Sequence, residues 1–511
     1  MGQRAAGGAA ARCLVQAAPR RGGDGMARRA SKLSTVPDPA PESGPGREEA
    51  AAGRARSTWD DQFSRRTVLR ALGLGAVGVG ASSLLAACSP AASSPSASSG
   101  ASSSGGASAG TITIGFVTPQ TGNLAGFASG DAFVLDTIRK TKAYASGFTV
   151  GGKTYDVNVV VQDSQSDPNR ASQVARNLIL QNKADLILTT STPEVTNPVA
   201  TVCEAQKVPC VSTVVPWQSW YFGRQADPKN PKPFTYTTMF FFGAEAFGGC
   251  FIPMWNRISN DKVVAGQFPN DADGNAFRGY WPDACKAAGY SFVDGGAYTD
   301  GLSDYTAMIS KFKSAAADIF INAPLPPDFN TMWKQAAQQG YKPKLATVAK
   351  VLLFPADLVA LGDLVNNIAT DCWWGPFMPY KSSLDGMTSQ ALADAYEASS
   401  GQQWLQSLGS TYSLFEIAKI AFEASSDPHD KAAVAAQLFK VKYDGICGPL
   451  DFTTGPAPAP GAPVIPGIGL IRPLGVQWKK GTGKYPYDMI VVDNSLNKDV
   501  PVGGDLVATN A

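Results

Sequence analysis

Few side chains in this chain could do covalent chemistry, and their contexts argue against it. His429 is the only histidine and sits in Ser426-Asp427-Pro428-His429-Asp430, a loop leading into a helix. A Ser-His or Cys-His site would have this one possible base, so a histidine-dependent hydrolase is set aside. Six cysteines follow Cys88, namely Cys203, Cys210, Cys250, Cys285, Cys372 and Cys447, and none forms a C-x-x-C pair. An even number in an exported protein permits disulfides, with fifteen possible connectivities and no basis in the sequence for choosing among them. The run Asn270-Asp271-Ala272-Asp273-Gly274 is similar to the start of a calcium loop. The glutamate such a loop needs at its twelfth position is Trp281 instead. No metal, no cofactor and no enzymatic activity are expected.

The N-terminal region carries a different chemistry. Arg65-Arg66 precedes a Gly/Ala/Leu run that ends in Leu85-Ala86-Ala87-Cys88. Paired arginines before an apolar segment read as a twin-arginine export signal. The ending resembles a bacterial lipobox, in which the cysteine is lipidated and becomes the first mature residue. The apolar stretch 71–87 is short and glycine-rich for a membrane span. Residues 1–63 have a disordered composition, and Met26 or a later codon is a candidate true start. Residues 1–88 are thus a leader, and Cys88 is the expected lipid anchor to the bilayer, on the outer face of the cell membrane. Residues 89–110, almost entirely Ser, Ala, Gly and Pro, read as a flexible tether.

Charge follows the same division. The chain is formally +2, but residues 1–70 hold 13 Lys/Arg and 7 Asp/Glu, leaving 31 and 35 for the remainder. The basic balance belongs to the leader and gives no reason to expect a nucleic-acid partner.

Ligand chemistry requires elements that place loops together, and residues 111–511 supply them. Strands are expected at 111–117, 155–161, 185–188 and 208–211, with helices at 128–145, 168–181 and 197–206. A second series has strands at 262–267, 291–294, 318–322 and 344–347, with helices at 275–288, 303–316 and 328–339. A helix at 410–424 and strands at 475–478 and 489–492 follow. Alternation of this kind implies parallel sheets covered on both faces, and about 400 residues exceed one core. The fold class is α/β, with two doubly wound parallel-sheet lobes.

Several motifs in order carry a resemblance to a known family. They are Ile114-Gly115-Phe116-Val117-Thr118-Pro119-Gln120-Thr121-Gly122, Asp163-Ser164-Gln165-Ser166-Asp167-Pro168, Val208-Pro209-Cys210-Val211-Ser212, Asn270-Asp271-Ala272-Asp273-Gly274, Ala287-Ala288-Gly289-Tyr290 and Gly448-Pro449-Leu450-Asp451-Phe452. The chain resembles type I periplasmic binding proteins of the branched-chain amino acid (leucine/isoleucine/valine-binding) family, the solute receptors of ABC importers. The resemblance implies a multi-strand hinge, with lobe one at 111–238 and 373–449 and lobe two at 239–372 and 450–511.

Open α/β sheets bind ligands at the carboxyl ends of their strands. By resemblance, Ser191 or Thr192, with Ser212 and Thr213, take a ligand carboxylate, and Phe127 stands where the family carries an aromatic wall. Trp217 continues the ligand loop directly, and Asp271 and Asp273 lie between a strand and a helix where they can face the cleft. Trp373-Trp374 sits near a hinge crossing, where a structural role is the expectation. Where amino-acid-binding relatives carry an acidic residue for the ligand ammonium, an ungapped alignment brings Lys350. A cation there favours a small carboxylate-bearing anion over an amino acid. The resulting expectation is a monomeric, lipid-anchored solute-binding protein that closes on a small molecule and serves a membrane permease. Amino-acid or amide binding by the same fold, or a sensory ligand-binding receptor, stay open.

Overall fold

A computed structural model describes residues 108–458 and 461–509. The twin-arginine leader, Cys88 and nearly all of the tether lie outside the described residues.

The described residues form one compact unit built on two seven-stranded sheets. The strands are β1 (Thr111–Thr118), β2 (Phe148–Val150), β3 (Lys153–Asp163), β4 (Leu186–Thr189), β5 (Cys210–Thr213), β6 (Thr237–Phe241), β7 (Val263–Gln267), β8 (Ser291–Asp294), β9 (Ile319–Asn322), β10 (Leu345–Val348), β11 (Ala369–Cys372), β12 (Lys442–Gly445), β13 (Gly448–Asp451), β14 (Ile468–Leu470), β15 (Leu474–Lys480) and β16 (Tyr487–Asp493). The first sheet runs β14-β6-β5-β4-β1-β3-β2 and the second β16-β15-β11-β10-β9-β7-β8, while β12 and β13 form a separate hairpin. Central strands such as β4 (LILT) and β9 (IFIN) are buried at every position, as sheets covered by helices on both faces require. In the first sheet the winding reverses between β1 and β4, and in the second between β7 and β9. Such switch points open a crevice at the strands' carboxyl ends. The two-lobed α/β expectation holds.

The hinge crosses three times, at 242–243, at 373 and at 471–473, and the crossings differ from those expected. Strand β6 pairs in parallel with β5, so the first crossing falls a few residues after 238. Strand β14 pairs in parallel with β6, which keeps the chain in the first lobe well past 449. Proline and glycine on both sides of β14 masked this short strand, because its pairing partner lies more than 200 positions away in sequence. The expected helix 128–145 is three pieces, Ala125–Ala128, Asp131–Lys140 and Lys142–Ala145. At the first break a Cβ on Gly130 would stand 2.7 Å from Leu408 Cδ2. The six cysteines are all free and buried, so no disulfide staples the described residues.

Local signals explain several boundaries. Asp167 accepts the Arg170 amide at 2.7 Å, and Pro168 opens the helix Pro168–Leu180. Pro193 does the same for the helix Pro193–Gln206, which therefore begins four residues before the expected start.

One buried acid ties the first lobe together. Asp131 accepts hydrogen bonds from Thr118 on β1 (2.5 Å) and from Thr411 on the helix Ser407–Glu423 (2.7 Å). Burial raises its pKa to about 7, against the two hydroxyl donors, which lower it. A carboxyl raised in the folded state binds more protons folded than unfolded, so its contribution to stability falls as pH rises from about 4 to 7. Asp131→Asn removes this dependence. Denaturation at pH 5 and pH 8 is expected to show the variant losing less stability than wild type on going to pH 8, by on the order of 2 kcal/mol.

Candidate functional site

The crevice is built from loops that leave the carboxyl ends of both sheets. Several of those loops hold non-glycine residues in the left-handed region. Ser191 follows β4 at φ 109, Val214 follows β5 at φ 58, and Lys350 and Leu352 follow β10 at φ 66 and 54. Each costs about 1–3 kcal/mol and persists only where the surroundings over-determine it.

At the polar end, Lys350 Nζ lies 3.2 Å from Glu194 Oε1, 3.3 Å from Asp271 Oδ2 and 2.8 Å from Asp273 Oδ2. Glu194 belongs to lobe one, in the first turn of the helix Pro193–Gln206, whereas the two aspartates open the helix Ala272–Ala287 of lobe two. The ammonium therefore joins the lobes. Asp271 also caps its helix, accepting the Gly274 amide at 2.6 Å. That explains the aspartate-glycine run without a metal ion.

The cluster's charge is unbalanced. Burial works against the charge on Lys350, but Asp271, Asp273 and Glu194 overcome it and hold its pKa well above the usual value. Burial pushes Asp273 up to about 6, only partly offset by Lys350, with Asp271 and Glu194 adding to the rise. Burial likewise dominates at Asp271, which is raised, whereas at Glu194 the charge of Lys350 and local hydrogen bonds outweigh burial and leave it lowered. One cation faces three carboxylates, and two acceptor atoms, Glu194 Oε2 and Asp273 Oδ1, are buried without a hydrogen-bond partner.

The apolar end is aromatic. Phe127, Phe241, Phe247, Phe277 and Trp373 line one pocket together with Thr192, Asp273, Lys350 and Asp371. Phe127 of lobe one meets Phe354 of lobe two edge-on, with ring centroids 4.9 Å apart. The space left is about 30 Å³, far below the ~300–1,000 Å³ of ordinary small-molecule pockets. Entry of a solute requires the lobes to part.

The sequence-predicted residues divide between roles. Phe127, Thr192, Asp273 and Lys350 line this pocket, and Asp271 is joined to it through Lys350. The hydroxyls of Thr189, Thr190 and Ser191 are buried without partners at the end of β4, and Thr192 does not cap its own helix. Ser212 Oγ accepts from the Trp220 indole at 3.1 Å and keeps its own O–H to donate, whereas the Thr213 hydroxyl donates to the Phe240 carbonyl at 2.8 Å; neither residue lines the pocket. Trp217 is turned away. Its indole donates to Glu245 at 2.9 Å, and the ring lines a separate groove with Tyr280 and Pro458. His429 pairs with Asp185 at 3.0 Å, just before β4 and so at the opposite end of the sheet from the crevice.

Glu194, Asp371 and Trp373 were not expected. Pro193 was the available signal for Glu194, since a proline at the first helical position puts the next residue in the first turn. Asp371 and Trp373 lie on the hinge, and only the packing of both lobes shows that they face the pocket.

Residues 111–461 match the model of the periplasmic binding protein family. The chain belongs to that family. Among solved structures, it is similar to a leucine-binding protein from Thermotoga maritima (15% identity, 74% of this chain and 98% of that one, TM-score 0.59). It is also similar to the branched-chain amino acid transporter substrate-binding protein of Streptococcus pneumoniae in complex with isoleucine (17%, 75% and 99%, 0.55). A third is an ABC transporter solute-binding protein from Rhodopseudomonas palustris in complex with 3,4-dihydroxybenzoic acid (18%, 78% and 98%, 0.57). At these identities the likeness is one of fold. No match was found among curated proteins.

Within the family fold, Lys350 is a structural cation as well as a cleft residue. Lys350→Met strands three carboxylates, and a loss of about 3–5 kcal/mol in denaturant unfolding at pH 7.5 is expected. The loss shrinks at pH 5.5, where Asp273 takes up a proton; an equal loss at both pH values contradicts the charge assignment.

Proposed function

We propose that this periplasmic binding protein is the solute receptor of an ABC importer, closing its lobes on a small molecule with an apolar body and a net-neutral polar head, an amino acid or an amide. The carrying observation is the balance around Lys350. The sequence favoured a carboxylate-bearing anion because Lys350 was read as available to the ligand. With Glu194, Asp271 and Asp273 already on that ammonium, a lone carboxylate entering the cluster meets net negative charge. Like charges about 4 Å apart at an effective dielectric near 20 repel by about 4 kcal/mol. A head that brings its own N–H donors instead satisfies Glu194 Oε2 and Asp273 Oδ1, and its carboxylate or carbonyl reaches the hydroxyls of Thr189, Thr190 and Ser191. The helix Pro193–Gln206 starts beside those hydroxyls, and the positive end of its dipole favours an oxygen there. The aromatic walls receive the body. Solved relatives with isoleucine and with a dihydroxybenzoic acid support a ligand of this size. No covalent step is involved, and closure is a hinge motion.

A thermal-shift comparison of phenylalanine and leucine, of phenylacetamide, and of 3-phenylpropanoate and 4-methylpentanoate tests the head group. Compounds with N–H donors are expected to raise Tm, because a ligand at a thousand times its Kd adds about 4 kcal/mol. Stabilisation by the two amine-free acids alone would return the reading to an anion.

Cys88 is proposed as the lipid-bearing residue that holds the protein, as a monomer, on the outer face of the cell membrane beside its permease. Cys88→Ala is expected to shift the protein from the detergent-extracted membrane fraction to the soluble fraction. Unchanged membrane retention would refute a lipid anchor at this position.

A further inference from the structure

The pocket has a second polar pole on its hinge side. Asp371 closes β11 and Trp373 begins the second hinge crossing, and both side chains line the pocket. Each residue is 1% exposed, and Asp371 Oδ1 and Trp373 Nε1 both lack a hydrogen-bond partner. Native interiors rarely leave such atoms unpaired. Two in one ligand pocket point outward, to something that enters it.

The backbone here is firmly held, so the orphan atoms are not a sign of a loose segment. Gln406, fully buried, accepts the Trp373 amide at 3.0 Å and donates to the Asp371 carbonyl at 3.3 Å. The strand itself is paired with β15, Asp371 opposite Gly475. Burial raises the carboxyl's pKa to about 7, against the Asp371 amide and the Thr370 hydroxyl, which lower it.

The chemistry of the pair selects the group it fits. An indole N–H only donates, so its partner must accept. Once ionised, above its raised pKa, the Asp371 oxygen needs a donor. An ammonium donates but cannot accept, and a carboxylate accepts but cannot donate. A hydroxyl or a primary carboxamide does both.

Building on the amino-acid or amide reading above, we propose that Asp371 and Trp373 form a specificity subsite for an uncharged hydroxyl or carboxamide on the far part of the ligand. The solute is then polar at both ends and apolar between them. A ligand lacking this group leaves two buried polar atoms unpaired, which disfavours it by roughly 10- to 100-fold.

Calorimetric titration of the full chain with matched pairs tests the subsite: tyrosine against phenylalanine, and 4-hydroxyphenylacetamide against phenylacetamide. The expected result is tighter binding of the hydroxylated member by about tenfold or more, lost in Asp371→Leu. The ligand-free protein gives a second readout. Unsatisfied groups kept for a ligand cost stability, so Asp371→Leu and Trp373→Phe are both expected to raise its Tm. Equal affinities within each pair in wild type overturn the subsite while leaving the head-group reading intact. If none of the four compounds binds, the head-group reading fails and the Tm readout decides alone: a fall in both variants overturns the subsite, and a rise upholds it.

Discussion

A single ammonium, on Lys350, stands where the two lobes meet, and the arrangement of the crevice follows from how its charge is satisfied. A buried lysine needs carboxylates close by, or burial would strip its proton. Glu194 comes from the first turn of a lobe-one helix, and Asp271 and Asp273 from the first turn of a lobe-two helix. The ion cluster is therefore also a bond between lobes. Removing the ammonium leaves three carboxylates as uncompensated buried charge, which is costlier than never having placed them there.

The loops that carry these groups are strained in the same places. Ser191, Val214, Lys350 and Leu352 all hold positive φ, and all follow strands whose positions are fixed by full burial on both faces. Rigid strands thus hold strained loops, and strained loops aim hydroxyls, carboxylates and an ammonium into a space of about 30 Å³. Phe127 against Phe354 adds an apolar contact across the same gap. A solute entering must break the charge contact and the ring contact together, and must replace both. Its polar head and apolar body are two halves of one requirement.

Much of the fold was legible because it is written locally. The alternation of short β-branched strands with amphipathic helices gave the two parallel sheets, and Asp167-Pro168 gave a helix start to the residue. What escaped was long-range. Strand β14 is three residues between glycine and proline, defined by pairing with β6 and not by its own composition. The crevice was half legible for the same reason. Asp271 and Asp273 were read from their place between a strand and a helix, and Phe127, Thr192 and Lys350 from the family resemblance. Glu194, Asp371 and Trp373 depend on which faces the closed lobes bring together. Trp217 was misplaced because its position in the loop was right but its indole is drawn to Glu245 on the neighbouring lobe. The partners of Lys350 were not legible at all, since the three carboxylates on its ammonium come from segments 77 to 156 residues away.

The cross-lobe contact can be measured by a double-mutant cycle with Glu194→Gln, Lys350→Met and their combination, followed by urea unfolding at neutral pH in low and high salt. A coupling of about 1–3 kcal/mol that survives added salt is expected for a buried pair of this geometry. Additive effects, or a coupling abolished by salt, would contradict a lysine held between the lobes and return Lys350 to the ligand.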